Sequence, residues 1–312
     1  MKHDATEHTS KRTCVLLNGG SGKTDAEQIA VVIRSALSAI ARNYEVWVLD
    51  RDDDIASSAR SALQEGFEII VAAGGDGTIA AVASALRGRD ASLGIIPLGT
   101  FNYFARSLDV PIDIASAVQL LGSGARRPMR VGDVNGRIFL NNASLGAYPT
   151  ILRTREQTYR RWGRSRLAAY WSVLVTLATL RRPLKLTIEA NGGRISRRTP
   201  LAFAVNNAFQ LDQMGLEGRE HIAEGRLALF IAPDTGRWGM LRNALALAMG
   251  RAQHDVDFDM ITADSIRIET RRRSCDVAFD GERERIRAPL ELKVVEDALT
   301  VIVPPNRQGD TR

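Results

Sequence analysis

The chain has 312 residues, 45% hydrophobic and 25% charged, the balance of a folded globular protein rather than a disordered or fibrous one. Its length suits two domains of roughly 100–200 residues each, and no apolar run reaches the roughly 18–20 residues that a membrane span requires. The formal net charge of +6 points toward anionic partners. Cys14 and Cys275 have no metal-like spacing and read as buried free thiols of a reducing cytoplasm, and the four histidines form no i,i+4 pair that would suit zinc.

The polar opening, residues 1–12, lacks an apolar signal core and reads as a flexible tail, as do residues 305–312. Thr13–Leu17 reads as a strand and Asp25–Ala41 as an amphipathic helix. Tyr44–Leu49 is a second strand, and Asp53–Glu65 a helix opened by acids that suit its positive N-terminus. The apolar run Phe67–Ala73 is a third strand and leads into Gly74-Gly75-Asp76-Gly77-Thr78. The Ala-rich stretch Ile79–Leu86 then reads as a helix. Leu93–Ile96 is a fourth strand, with helices over Phe101–Leu108 and Ile112–Leu121. Strand–helix alternation of this length predicts a parallel sheet with helices on both faces, in which ligands sit at the carboxyl ends of the strands.

The pattern changes near Arg126. Met129–Val134 and Arg137–Asn142 flank Asn135-Gly136, a hairpin signal. Short β runs follow at Leu184–Ala190, Arg194–Arg198, Leu201–Val205, Leu227–Ala232, Ser265–Thr270, Cys275–Phe279, Leu290–Val295 and Leu299–Val303, interrupted by a helix over Trp238–Met249. Many short strands with regular turns predict an antiparallel β-sandwich. The expected organisation is therefore an α/β domain over 13–127 and a β-sandwich over 128–304, with the destination of the last strand left open.

Strand, glycine turn, helix is the arrangement that turns backbone N–H groups toward a phosphate. Glycine permits that close approach, having no Cβ. Asp76 is the odd member, because a carboxylate beside a phosphate needs a cation or a hydroxyl between them. Asn18-Gly19-Gly20-Ser21-Gly22-Lys23-Thr24 ends like a P-loop but has Leu17 where that motif needs its first glycine, so the Walker reading is set aside. Gly99-Thr100-Phe101-Asn102 reads as a helix start, which Thr and Asn favour. Asp280-Gly281 reads locally as a tight turn.

Four blocks in order, Asn-x-x-Ser-Gly at Asn18, Gly-Gly-Asp-Gly-Thr at Gly74, Gly-Thr-x-Asn-x-x-Ala-Arg at Gly99 and Phe-Asp-Gly-Glu at Phe279, resemble the diacylglycerol kinase family of lipid kinases. That family shares its nucleotide-binding fold with sphingosine kinases and, more distantly, NAD kinases. The resemblance runs from about Thr13 to about Pro304. It implies ATP contacts at Asn18, Ser21, Gly22, Gly74, Gly75, Asp76, Gly77, Thr78 and Thr100, with Mg²⁺ as a cofactor. It also implies that Asp280 takes the proton from the acceptor hydroxyl of a lipid alcohol, with diacylglycerol as the default. Relatives usually carry proline where Gly19 stands, which would loosen the first turn, and many carry Asp where Tyr103 stands. Bacterial members carry an Asp-Gly near His221–Leu227 that helps hold a structural Mg²⁺. Here the acid is Glu224, and the neighbouring ligands would be the carbonyls of His221 and Arg226.

From Ile151 to Lys185 the chain has nine Arg or Lys against one acid, Glu156. Within it the fourteen-residue apolar stretch Leu167–Leu180 is too short to span a bilayer but suits an interfacial helix. An anionic membrane surface is thus the expected partner, with no nucleic acid, a homodimer as the oligomer considered, and a cytoplasmic, peripherally membrane-associated location. Two other readings are a soluble-substrate kinase resembling NAD kinase and a non-catalytic membrane or nucleic-acid binder.

Overall fold

The computed structural model describes residues 11–19, 23–40, 43–50, 52–146, 183–236, 239 and 258–305. The chain divides into two compact units, one of residues 1–130 with 296–312 and the other of residues 131–295.

In the first unit, β1 (Thr13–Asn18) pairs in parallel with both β2 (Tyr44–Leu49) and β3 (Ile69–Gly74). β4 (Ser92–Pro97) pairs in parallel with β3. The final strand, β16 (Leu290–Val303), adds its last part beside β4 in parallel, with Thr300 opposite Ser92. Every residue of β3 and β4 is buried, which is what a parallel sheet covered on both faces demands of its central strands. Two helix pairs supply the covers. α1 (Lys23–Ser38) packs on α5 (Ile114–Ser123), and α2 (Ile55–Gln64) packs on α3 (Asp76–Leu86). α1 turns Ala26, Ala30, Ile33 and Leu37 inward at helical spacing. Asp54 caps α2 by accepting from the Ala56 N–H at 3.0 Å. Asp113 caps α5 through Ser116. Short α4 (Tyr103–Ser107) completes the set.

In the second unit the strand registers among the described residues are antiparallel. β5 (Ala125–Val134) crosses into it and forms a hairpin with β6 (Arg137–Phe139). One sheet has six strands, in the order β12 (Asp259–Ala263), β11 (Leu227–Ile231), β10 (Leu201–Val205), β7 (Asn142–Gly146), β14 (Ser274–Phe279) and β15 (Glu282–Arg287). The other runs from the first part of β16 through β13 (Ser265–Thr270) and β8 (Leu184–Ala190) to β9 (Gly193–Thr199). One core joins side chains of both sheets, among them Leu145, Ile188, Leu229, Ile268 and Leu292, the shared interior that a sandwich requires. β10 and β11 are apolar on both faces because the six-stranded sheet carries a second cluster. There Phe203, Phe230 and Phe258 meet at centroid distances of 5.1–6.5 Å, beneath α6 (Ala208–Met214) and α7 (Arg219–Ala223).

Several expectations change here. The last strand returns to the first unit from Glu296 onward, so that unit is not continuous in sequence. The two runs expected at Leu290–Val295 and Leu299–Val303 are a single strand. The strand expected over Arg137–Asn142 breaks at Leu140–Asn141, whose N–H groups are taken by a side chain described below. Strands β12 and β15 and helices α6 and α7 were not anticipated. The helix expected at Trp238–Met249 and the basic stretch up to Arg182 lie outside the described residues. Both cysteines are free thiols in strands. Burial, the largest cause, pushes Cys14 up to about 12 and Cys275 up to about 11, so neither is a ready nucleophile. No helix among the described residues is long and apolar enough to cross a membrane.

Candidate functional site

β3 ends at Gly74 and α3 begins at Asp76, with Gly75 as an extended N-cap (φ −85°, ψ −176°) that offers no side-chain cap. The first turn of an eleven-residue helix thus presents N–H groups and the positive end of its dipole at the carboxyl end of a parallel strand. A Cβ on Gly74 would lie 2.4 Å from Thr78 Oγ1, so only glycine lets the helix start this close to the strand. Thr78 is buried, and its hydroxyl accepts from Asn18 Nδ2 at 2.8 Å. That bond ties the end of β1 to the first turn of α3.

The Gly99 block packs against this turn backbone to backbone. A Cβ on Gly99 would lie 2.6 Å from Gly75 Cα and 2.7 Å from Asn102 Oδ1. Asn102 is buried and left-handed at φ +52°, a conformation that Asn tolerates better than most residues. Its carboxamide closes the loop on itself, accepting from the Gly99 N–H at 3.0 Å and donating to the Gly99 carbonyl at 2.9 Å. Asn102 therefore gives α4 no side-chain cap. The Phe104 N–H in the first turn of that helix instead donates to Asp76 Oδ1 at 3.3 Å. Half-buried Asp76 so bridges two glycine blocks. Desolvation, the largest influence, raises its carboxyl above the ordinary value, while the N–H groups of Phe104, Asn102 and Tyr103 pull it back down. Thr100 is exposed. Phe101 is 62% exposed, and its ring stacks on Tyr103 at 5.4 Å and 4°.

Gly19 is held fast at the end of β1. Its N–H donates to the Leu49 carbonyl at 3.0 Å, and a Cβ there would lie 2.7 Å from the same oxygen. A proline would lose that bond. Asn18, Gly74, Gly75, Asp76, Gly77, Thr78 and Thr100 all lie in the first unit, around the ends of β1, β3 and β4. Ser21 and Gly22 lie outside the described residues.

In the second unit, Asp280 occupies the turn between β14 and β15 at φ +48°. Its carboxylate accepts from the Leu140 N–H at 2.7 Å through Oδ2, and from the Asn141 and Asn142 N–H groups at 2.7 and 3.1 Å through Oδ1. These bonds explain why the chain leaves the β6 ladder at Leu140: its donors are turned toward a carboxylate. Around that point gathers a carboxamide cluster that sequence reasoning missed. Asn207 caps α6 and donates to Asn141 Oδ1 at 2.7 Å, and Asn142 donates to Gln210 Oε1 at 2.9 Å. Asn206 Oδ1 and Ser144 Oγ are buried without a hydrogen-bond partner among the described residues. The paired asparagines Asn141-Asn142 and Asn206-Asn207, each beside a strand end, were the available signal.

Glu224 does not sit in a donor set. Its side chain is 63% exposed, with Oε2 3.7 Å from His221 Nδ1, too far for a hydrogen bond. The His221 carbonyl accepts from the Arg226 N–H at 2.9 Å. No cluster of three His, Cys, Asp or Glu side chains suited to a metal occurs among the described residues. One exposed carboxylate beside an imidazole does not fit Mg²⁺, which asks for a near-ideal octahedron of oxygens.

Residues 12–134 match the family described as the diacylglycerol kinase catalytic domain. A Pseudomonas aeruginosa protein described as "Probable lipid kinase YegS-like" is 45% identical over 119 residues, covering 36% of this chain and 39% of that protein. A Bacillus subtilis diacylglycerol kinase is 38% identical over 190 residues, covering 58% and 60% respectively. The chain thus matches between about two fifths and three fifths of the length of these relatives. A solved structure of a diacylglycerol kinase from Bacillus anthracis superposes with a TM-score of 0.67 at 21% identity, over 95% of this chain and 97% of that one, a likeness of fold.

Proposed function

Because residues 12–134 match the diacylglycerol kinase catalytic domain family, we propose that this chain is a lipid kinase that transfers the γ-phosphate of ATP to the hydroxyl of a lipid alcohol, diacylglycerol first among the candidates. The observation that carries the reading is the uncapped N-terminus of α3, set against the Gly99 loop with glycine at each contact. That is a cradle for phosphate oxygens made of backbone N–H groups, the fixed polar surroundings that phosphoryl transfer needs.

In this account Gly74–Thr78, with Asn18 behind Thr78, binds and orients the phosphates of ATP. Thr100, exposed on the facing loop, contributes a hydroxyl. Asp76 fits a Mg²⁺ that takes its remaining ligands from phosphate oxygens and water, as that ion usually does. Mg²⁺ bound there supplies the positive charge that lets a carboxylate stand beside a phosphate. Asp280 accepts the proton of the acceptor hydroxyl. Its role asks for placement more than for strong basicity, and the N–H donors of residues 140–142 provide the placement. Orienting two reactants in this way can lower a barrier by roughly 7–11 kcal/mol. The buried Asn206 Oδ1 and Ser144 Oγ offer polar partners to the acceptor's headgroup. The arginine-rich stretch Tyr159–Arg182 serves as the anchor on anionic membrane.

The experiment is a panel of acceptors with γ-labelled ATP: diacylglycerol, a sphingoid base, phosphatidylglycerol and a prenol in mixed micelles, and NAD without micelles. The expected result is label in a lipid, with diacylglycerol the best acceptor. Label passed to the soluble acceptor alone would replace this reading with that of a soluble-substrate kinase.

A further inference from the structure

The two ends of the β13–β8–β9 sheet differ in how they treat positive charge. At one end every arginine is answered. Arg194 pairs with Glu189 and Glu269 at 3.4 and 2.9 Å, and Arg267 pairs with Glu291 at 2.7 Å. At the other end Arg197 and Arg198 of β9 pair with Asp259 and Asp234 at 3.2 and 3.6 Å, but the chain also turns there through Arg271-Arg272-Arg273, three consecutive exposed arginines that join β13 to β14. Register brings more cations to this turn. Thr270 is opposite Leu186, which places Arg271 next to Lys185, and Ser274 is opposite Arg287. Arg285 reaches back to donate to Ser274 Oγ at 2.9 Å. The acids that flank the turn are already engaged, Asp276 by Arg283 at 3.4 Å and Glu269 by Arg194 at 2.9 Å. Among the described residues, none of Lys185, Arg271, Arg272, Arg273, Arg285 and Arg287 has an ion-pair partner within 4.0 Å.

We propose that these six cations form a docking surface for an anionic lipid bilayer. Single-stranded nucleic acids are held by cations interleaved with aromatic faces on which bases stack. Strands β8, β9, β13, β14 and β15 carry one aromatic residue between them, Phe279, and it is buried. Guanidinium groups on an exposed turn, beside described strands that offer no exposed aromatic face, suit a plane of lipid phosphates instead. Five of its six cations lie between Arg271 and Arg287, far in sequence from Tyr159–Arg182, so it stands whether or not that stretch binds membrane. It also stands apart from the kinase reading, because binding is measured without ATP.

The test is sedimentation with phosphatidylcholine vesicles, with and without phosphatidylglycerol, at low salt. Each arginine near such a surface contributes about fivefold to affinity, so Arg271→Gln/Arg272→Gln/Arg273→Gln should weaken binding to the anionic vesicles by roughly a hundredfold. Arg287→Gln alone should weaken it by about fivefold, and this variant carries the test if the triple variant fails to fold. The control, Arg194→Gln/Arg197→Gln, removes arginines that already have acidic partners and should leave binding as it is. Phosphorylation of lipid in uncharged micelles should be the same in all of them, which separates this proposal from the catalytic one. Undiminished vesicle binding by the triple variant or by Arg287→Gln would overturn the proposal. So would an equal loss in the control, which would mean that only net charge matters. Binding of wild type to single-stranded RNA but not to anionic vesicles would reassign the patch to nucleic acid.

Discussion

Asp76 and Asp280 are both carboxylates held by backbone N–H groups of a distant segment, yet they are held to different degrees. Asp76 stands at a helix N-terminus, with a 3.3 Å bond to the Phe104 N–H and a carboxyl raised by desolvation. Asp280 sits in a left-handed turn, with donors at 2.7, 2.7 and 3.1 Å on its two oxygens. A carboxylate that desolvation raises despite the N–H groups around it gains from the arrival of a cation. A carboxylate met by short donors on both oxygens is a fixed point, and the β6–β7 segment bends to reach it. Asp76 is thus suited to respond to a ligand, and Asp280 to stay where it is.

Replacing the fixed one should do the most damage. Asp280→Asn removes the proposed base, and transfer should fall by about 10²–10⁴-fold. It also turns an amide N–H toward the backbone donors of residues 140–142, so the melting temperature should drop by the equivalent of about 1–3 kcal/mol. A variant with wild-type turnover and a lowered melting temperature would make this turn purely structural. Next comes Gly99→Ala. Its Cβ would meet Gly75 Cα and Asn102 Oδ1, neither of them the far end of a flexible side chain. Overpacking of about 1–3 kcal/mol should follow, together with weaker ATP binding, read by calorimetry. An unchanged variant would show that the two glycine loops are free to separate.

Asn18→Ala breaks the tie from β1 to Thr78 and should cost about 0.5–1.5 kcal/mol in denaturant unfolding. No loss would mean that the bond contributes nothing to holding α3. The smallest effect sharpens the comparison through pH. Because the Asp76 carboxyl is raised above the usual 3.8 in the folded state, the unfolded chain releases this proton first as pH rises. Between 3.8 and the raised value the folded state holds the extra proton, so stability from this group falls with rising pH. The stability of wild type minus that of Asp76→Asn should therefore shrink from acid toward neutral pH. A difference that grows over that range would mean that the N–H donors outweigh desolvation.

Much of the first unit was legible because its signals are local. Tyr44–Leu49 appears with the expected limits, and the glycine blocks fall at strand ends as alternation predicts. What could not be read was contact between blocks. Nothing near Asn102 says that its carboxamide closes on Gly99, or that Asp76 serves the helix that follows. The second unit was legible in class but not in detail. Its runs LAFAV and LALFI read as strands and are β10 and β11, but their burial on both faces leaves no alternation to announce the second cluster beneath α6 and α7. The charged strand Glu282–Arg287 offered no apolar alternation to find. Asp280 was found through its motif, whereas its hold on residues 140–142 spans about 140 residues and leaves no mark in local sequence.

The central claim, transfer from ATP to a lipid hydroxyl with Asp280 as its base, is tested most directly by single-turnover transfer of labelled γ-phosphate into diacylglycerol, with wild type and Asp280→Asn compared at saturating ATP. The account predicts label in the lipid with wild type, a rate at least about a hundredfold lower in the variant, and ATP affinity retained by both. Label released only as inorganic phosphate by wild type, or equal rates of lipid labelling in the two proteins, would contradict it.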